Sequence, residues 1–584
     1  MTPVGSYSAA GQVSRRRLLR GAVVTVGGLA GAVMVGCSSA PAKPAATANP
    51  NATAAAGVGQ KERAGMPVVK GTPKKGGTFT SALIETNAQH DQHIALSNTE
   101  WTIMGEKALE MDVWTGELNG NVVEKWEVPD ANTFILKVKK GIKMHNRAPW
   151  NGREFDAADV AWNLTRLAGL TAEAEGIPKA QFQRASFMAG IAKAETTDKH
   201  TVKVTMSTPN SAFLNGIAEI RSPMMPKDIL DIGFKDSMKF GGFGPFMITE
   251  NVPGSRQVYS RHEGYHRPNE PYFDKYVQIA IPDRAALMAS FITKQISTIG
   301  APSINEAKSI VSARPDALRY TYQGVGYQFI KFNFKHKPFQ DLRVRQALNL
   351  VCDREEIANG VYGEDGGWGW IAATHPAFPE SWDADKVKKL AGWNPLTKEK
   401  DRAEASKLLA AAGYADGDKL EFEVMCRQGG ASQENALRLQ AQFVKQFPKI
   451  KTTIINQDTT TFDKRQGEGN FQSLSYTSTQ APDIVLETTA HWHSKGSRNY
   501  GKFPDNGQDA LLDKALGELN RNTRKDIMNT FQEKWVAEWL PHIQFNVQPV
   551  GHFVQPNIGG FDKAMGPWDA GRGIVHNSGR VYEV

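Results

Sequence analysis

No stretch of this chain is apolar for long enough to cross a bilayer. The longest uncharged run, Gly21–Gly36, covers 16 residues and includes five glycines, short of the roughly 20 apolar residues that a membrane-spanning helix needs. Whatever follows it therefore has to fold in water. At 584 residues, with 40% hydrophobic and 22% charged residues, the chain has ample material for cores and reads as about two to four domains.

The apolar run is an address rather than a core. Ser14, Arg15, Arg16, Arg17, Leu18 and Leu19 precede it as a twin-arginine n-region, and Met34, Val35, Gly36 and Cys37 close it. This layout predicts a cleavable export signal over residues 1–36. The small residues before Cys37 resemble a bacterial lipoprotein box, which implies that Cys37 becomes an acylated N-terminus and the lipid anchor; Met34 stands where Leu is usual.

Net charge of +8 invites a nucleic-acid reading, but its location argues otherwise. Residues 1–36 carry +4 and residues 37–76 carry +5, which leaves one net negative charge for residues 77–584. A nearly neutral body lacks the basic footprint of a nucleic-acid binder. Besides Cys37 the chain has only Cys352 and Cys426. Two cysteines 74 positions apart form no disulfide framework, so buried thiols and a single disulfide both stay open.

Residues 37–75 are rich in Ala, Pro, Gly, Thr and Asn and read as a flexible tether. Structure is predicted to begin near Gly76 with a first strand in GGTFTSALI. Phe134, Leu136 and Val138 alternate with Ile135, Lys137 and Lys139, and Val202, Val204 and Met206 alternate with Lys203 and Thr205. That period of two predicts antiparallel strands with one wet face. Asp156 and Asp159 before Val160, Ala161, Leu164 and Leu167 predict a capped amphipathic helix. A second helix is expected from about Asp341 to Ala358, burying Val344, Ala347, Leu348 and Val351. The fold class is mixed α/β.

Seven segments then occur in a recognisable order: GGTFTSA from Gly76, GELNGNVVEKWEV from Gly116, FILKVKKGIKMHN from Phe134, FDAADVAWNL from Phe155, the block from Gly244 to Tyr265, KPFQDLRVRQALNLVCDREEI from Lys337, and ASKLLAAAGY from Ala405. In this order the chain resembles the extracellular solute-binding proteins of family 5, the dipeptide- and oligopeptide-binding class that serves ATP-binding cassette (ABC) importers. The resemblance implies a two-lobed periplasmic-binding-protein fold, type II and cluster C-like, with a hinge between the lobes. Lobe one would comprise residues 76–324 including an extra subdomain, lobe two residues 325–545, and residues 546–584 would return to lobe one. In the matched motifs Asp341 is expected to cap a helix whose Arg343 and Arg345 are solvated. Gly244 and Pro245 would let the chain cross between layers.

The resemblance also directs attention to candidate ligand contacts. Peptide binders of the family place an Asp four residues before a Pro in the segment that here reads SLSYTSTQAPDIVL, and counting back from Pro482 gives Ser478. A hydroxyl cannot neutralise a buried ammonium, so this departure favours solutes other than those with a free amine, unless Asp483 substitutes. Tyr476 lies in the same segment. Trp368 and Trp370, in the glycine-rich GGWGWIAATHP loop, suit stacking on sugar rings or peptide planes, or packing on the lobe surface. Trp492, between His491 and His493, is a further candidate. The two histidines would share one strand face, but a lone His-x-His is a poor metal signature. His145 reads as architectural, and Trp150, in the inserted RAPWNGRE segment, as surface packing.

No G-x-S-x-G, H-E-x-x-H, P-loop or G-x-G-x-x-G before a helix occurs, and the adjacent Glu355 and Glu356 would point apart on a helix. No enzyme, cofactor or metal is expected. The reading is a lipid-anchored, monomeric binding protein on the extracytoplasmic face of the cell membrane, periplasmic or at the cell surface. Its partners would be a peptide or similar polar solute and the permease and ATPase subunits of an ABC importer, with no nucleic acid. The alternatives are an oligosaccharide-binding protein of the same family and a solute-sensing receptor subunit.

Overall fold

The computed structural model describes residues 66–82, 90–95, 99–300, 304–363, 368, 378–478, 483–569, 575 and 577–584. The export signal, Cys37 and Trp370 lie outside the described residues. Strand β1 (Thr78–Ala82) starts two residues after Gly76, as expected. A hairpin of β2 (Leu109–Met111) and β3 (Leu118–Gly120) follows. Next comes an antiparallel sheet of β4 (Val123–Asp130), β5 (Thr133–Val138), β6 (Ile191–Asp198) and β7 (Thr201–Met206), in the order β4-β5-β7-β6.

The period of two in the sequence is what builds that sheet. Phe134 lies opposite Val204 and Leu136 opposite Val202, all buried, while Lys203 on the other face is exposed. The buried face is covered by the helix Ala157–Leu167, whose apolar stripe includes Val160, Leu164 and Leu167. Its start is a capping box: Asp156 accepts from the Ala158 amide at 2.9 Å, and Asp159 accepts from the Asp156 amide at 3.1 Å.

A third sheet combines β8 (Phe246–Val252), β9 (Arg256–Arg261) and β10 (Lys275–Ile279) with β1, in the order β1-β10-β9-β8. The chain enters it through Gly244, where a Cβ would come within 2.6 Å of the Ile103 carbonyl oxygen. The close crossing expected at Gly244 therefore exists. His145 sits beside it, its Nδ1 accepting from the Gly242 amide at 3.0 Å and its Nε2 lying 3.1 Å from the Gly244 carbonyl. It is architectural, as read.

The largest sheet has six strands: β11 (Thr298–Gly300), β12 (Leu318–Phe332), β13 (Glu421–Arg427), β14 (Lys451–Gln457), β15 (Ser473–Ser478) and β16 (His542–Val554), in the order β11-β16-β12-β15-β13-β14. Its spine is the long antiparallel pair β12 and β16. At one end Thr298 of β11 lies opposite Val554; at the other, Tyr327 through Phe332 lie opposite Ser478 through Ser473 of β15. Between these ends the pairing slips twice, from Gln323 to Tyr327 and from Tyr327 to Phe329. Such bulges bend a strand and change its twist. Two short strands, β17 (Ile558–Gly559) and β18 (Tyr582–Glu583), pair near the end of the chain.

Four expectations change. The helix expected over residues 341–358 is two helices, Leu342–Val351 and Arg354–Tyr362. Cys352 leaves the helical backbone, and Asp353 caps a new start by accepting from the Glu356 amide. Asp341 caps the first helix as expected, but Arg345 is only 5% exposed, because its guanidinium bridges the Phe339 and Trp539 carbonyls. Trp150 is buried, its ring pressed against Gly241. His491 belongs to a helix, Ile484–Trp492, and not to a strand. Cys352 and Cys426 are free, buried thiols, which closes the disulfide alternative. Among the described residues no helix is long and apolar enough to cross a membrane.

Candidate functional site

The segment singled out by its departure at Ser478 leads into a buried polar network. Ser478 ends β15, and Asp483 starts the Ile484–Trp492 helix by accepting from the amides of Val485 and Leu486 at 2.8 and 3.2 Å. Every residue of this helix is buried. Its apolar members explain burial on one side only, so its polar ones need partners.

Glu487 finds three on one oxygen. The Ser478 hydroxyl donates to Glu487 Oε1 at 2.7 Å, the Tyr327 hydroxyl does so at 3.2 Å, and His491 Nε2, one turn along, lies 3.2 Å away. The second oxygen faces Arg498 Nη1 at 3.5 Å. Burial alone would raise the Glu487 pKa, but His491, Arg498 and the Ser478 hydroxyl outweigh it and hold the carboxyl well below its ordinary value. His491 is pushed down to about 3, first by burial and then by Lys331. Its neutral ring accepts from Lys331 Nζ at Nδ1 (3.0 Å), and Lys331 also donates to the Arg498 carbonyl at 2.9 Å. Burial holds the Lys331 amine well below the usual lysine range, and its Nζ lies 4.4 Å from the centre of the Trp492 ring.

Ser478, His491 and Glu487 are the residue types of a hydrolytic triad, but the connectivity is wrong for one. A triad needs the carboxylate on one imidazole nitrogen and the hydroxyl on the other. Here Ser478 and Glu487 both meet Nε2, Lys331 occupies Nδ1, and the Ser478 hydroxyl is bonded directly to Glu487. No free pair remains to activate the serine.

Asp483 is committed twice more. It forms a buried ion pair with Arg524, and its Oδ2 accepts from the Asn215 amide at 3.2 Å. Asn215 comes from the Phe213–Ile217 helix beside the β4–β7 sheet. Other contacts follow the same line. The hydroxyls of Ser186 and Ser497 are 3.0 Å apart, the Ser211 amide donates to the Leu516 carbonyl at 2.8 Å, and the Arg498 guanidinium lies over the Phe187 ring at 5.5 Å. Glu219, buried here, is bonded to Arg221 and lies 3.9 Å from Arg184. Segments 183–221 and 483–516 thus meet along a polar seam.

Three of the sequence candidates come together around Phe329: Tyr476 at 5.5 Å between ring centres, Trp492 at 6.2 Å, and Ser478 on the neighbouring strand through Tyr327. Trp492 is 1% exposed and packs on Trp535 and His542. Ser478 is 1% exposed, whereas Tyr476 is half-buried. Trp368 packs elsewhere, its ring 4.4 Å from the Lys388 ammonium. Glu487, Lys331, Arg498 and Asn215 were missed. Reading Asp483 as a cap would have placed Glu487 and His491 one turn apart on a helix.

The sequence of residues 117–497 matches the family described as bacterial extracellular solute-binding proteins, family 5 (middle). The chain belongs to this family. Among its relatives is heme-binding protein A of Haemophilus influenzae, 24% identical over 78% of this chain and 83% of the relative. Di/tripeptide-binding protein 1 of Pseudomonas aeruginosa is 25% identical over 74% of this chain and 80% of its own. The oligopeptide-binding protein AppA of Bacillus subtilis, solved with a nonapeptide, superposes with a TM-score of 0.73 at 19% identity, covering 88% of this chain and all of that one. The family 5 resemblance and the two-lobed fold read from the sequence are therefore borne out, and the chain is a binding protein rather than an enzyme.

Proposed function

We propose that this family 5 protein captures a peptide between lobe one, residues 76–324 with 546–584, and lobe two, residues 325–545. Held at the extracytoplasmic membrane face by a lipid on Cys37, it hands the peptide to the permease of an ABC importer, and no chemistry is done on it.

The observation that carries this reading is the seam. Asn215 and Asp483, Ser186 and Ser497, and Arg498 over Phe187 join the two proposed lobes through polar contacts. Groups of this kind exchange for water at small net cost, of order 1 kcal/mol per hydrogen bond. A seam built from them can open and close, and a ligand that touches both sides favours closure by its differential affinity. The slips in the β12–β16 pairing fall beside the proposed boundaries, where a hinge would bend.

Peptide is favoured over sugar by the relatives, two of which are named for di/tripeptides and oligopeptides. At the end of β15 an α-ammonium would meet the Glu487 carboxylate by displacing the Ser478 hydroxyl, 2.7 Å from Oε1.

The test is calorimetric titration of the full chain with di-, tri- and nonapeptides, their N-acetylated forms, and a set of oligosaccharides. Saturable peptide binding that N-acetylation weakens about tenfold or more, roughly 1.4 kcal/mol, supports the reading. Binding of sugars alone would replace it with the oligosaccharide reading, and turnover of any solute would overturn transport. For the anchor, Cys37→Ser should move the protein from the membrane to the soluble fraction.

A further inference from the structure

The surface near the start of β16 holds a cavity of about 490 Å³, lined among others by Phe334, Arg345, Lys502, Asn506, Glu538 and Trp539. That volume is in the range of small-molecule sites. Its wall contains a charge without a counter-ion. Arg345 is 5% exposed and donates Nη1 to the Phe339 carbonyl at 2.6 Å, and Nε and Nη2 to the Trp539 carbonyl at 3.2 and 2.9 Å. Two of its five N–H groups carry no hydrogen bond to a described residue, and no described carboxylate lies within ion-pair distance. Asp341, the acid that acts on it, is held by Arg343 through a two-pronged contact.

The rim adds a second cation. Lys502 is exposed and forms no ion pair among the described residues, while Glu538 across the cavity is engaged by Lys534 at 3.1 Å. The apolar share comes from Phe334, whose ring lies 4.9 Å from the Arg345 guanidinium, and from Trp539. The backbone around it is irregular: a π-helical turn spans Trp535–Trp539, and Leu540 and Lys502 have φ of +37° and +55°. Such costly geometry is concentrated at functional sites.

The geometry points to a second ligand site in this cavity, one that takes a small organic acid: a carboxylate set between Arg345 and Lys502, with an apolar body against Phe334 and Trp539. A guanidinium edge matches a carboxylate in shape and charge. Lys502 and Asn506 lie in the 483–516 segment, but none of the lining residues makes the contacts that join the two proposed lobes, so the assignment stands independently of what the lobes capture.

The probe is benzoate, titrated calorimetrically into the full chain, with benzamide as its neutral counterpart and inorganic phosphate as the alternative anion. Benzoate is expected to saturate with a Kd of order millimolar, and benzamide to bind at least tenfold more weakly. Lys502→Glu should weaken benzoate about tenfold, and Gln340→Trp, which fills the mouth from an exposed position, should abolish binding; both variants should keep the parent melting temperature in the absence of benzoate. Failure of benzoate to saturate, equal binding of benzamide, tighter binding of phosphate, or benzoate affinity unchanged in both variants would each overturn the assignment.

Discussion

The side-chain amide of Asn215 donates to the carboxylate of Asp483 across 268 positions of sequence, at 3.2 Å. Asp483 is at once the cap of the Ile484–Trp492 helix, the partner of Arg524 and the acceptor for a residue from the far side of the seam. One carboxylate therefore links local helix formation to the contact between the two proposed lobes.

Asn215→Ala should leave the fold intact and loosen the seam. Losing one hydrogen bond to a charged acceptor is worth about 1.5–3 kcal/mol, so affinity for a captured peptide should drop about tenfold or more with the melting temperature of the ligand-free protein nearly unchanged. Calorimetry and thermal unfolding of the same variant check both parts.

Asp483→Ala is expected to be far more damaging. It removes a helix cap, worth about 1 kcal/mol, and leaves the buried Arg524 without its closest anion, which typically costs about 3–5 kcal/mol. Urea unfolding should show the loss, and adding Arg524→Leu should recover part of it by removing the stranded charge.

Ser478→Asp separates the sequence reading from the structural one. On sequence alone the change leaves peptide binding unaffected where amine recognition is absent or supplied elsewhere, and raises it where the pocket has lost an amine anchor. In the structure it sets a second carboxylate where a hydroxyl now lies 2.7 Å from Glu487, and two carboxylates that close cannot both ionise. The variant should be destabilised at pH 7 and recover relative to the parent as pH falls, read from melting temperatures between pH 7 and 5.

Acid should weaken the protein from about pH 6.5 downward. Burial is the chief cause that holds His145 and His491 down to about 3 and His266 and His552 down to about 4, against an ordinary 6.5. Below pH 6.5 the unfolded chain takes up protons that the folded chain refuses, so each histidine lowers stability by up to about 1.4 kcal/mol per pH unit until its folded pKa is reached. Glu110, held at about 2 because Arg267, Arg580 and Lys107 overcome the effect of burial, adds to this below about pH 4.5. Urea midpoints measured at pH 7.5, 6 and 5 should fall in that order.

Local chemistry was legible where neighbours in sequence are neighbours in space. The alternation at Phe134–Val138, the capping box at Asp156 and Asp159, the close crossing at Gly244 and the order of family segments all appear in the structure as read. Readings failed where a side chain's environment comes from elsewhere. Arg345 sits next to a buried helical face, and only the chain around Trp539, closing over it from 194 positions away, decides that it is buried. Trp150 looked like surface within its insert, but Gly241, remote in sequence, offers the flat contact that buries it.

The same division holds for function. By itself the sequence determined the family, the two-lobed fold, the near-neutral body and the absence of catalytic motifs, because these rest on composition, on short-range periodicity and on motifs read along the chain. Only the tertiary structure decided what Ser478, Asp483 and Trp492 do, since their partners Glu487, Asn215, Arg524 and Trp535 are set by strand pairing and helix packing. A hydroxyl, a carboxylate or an indole has no fixed role until folding brings a donor, a charge or a ring within a few ångströms of it.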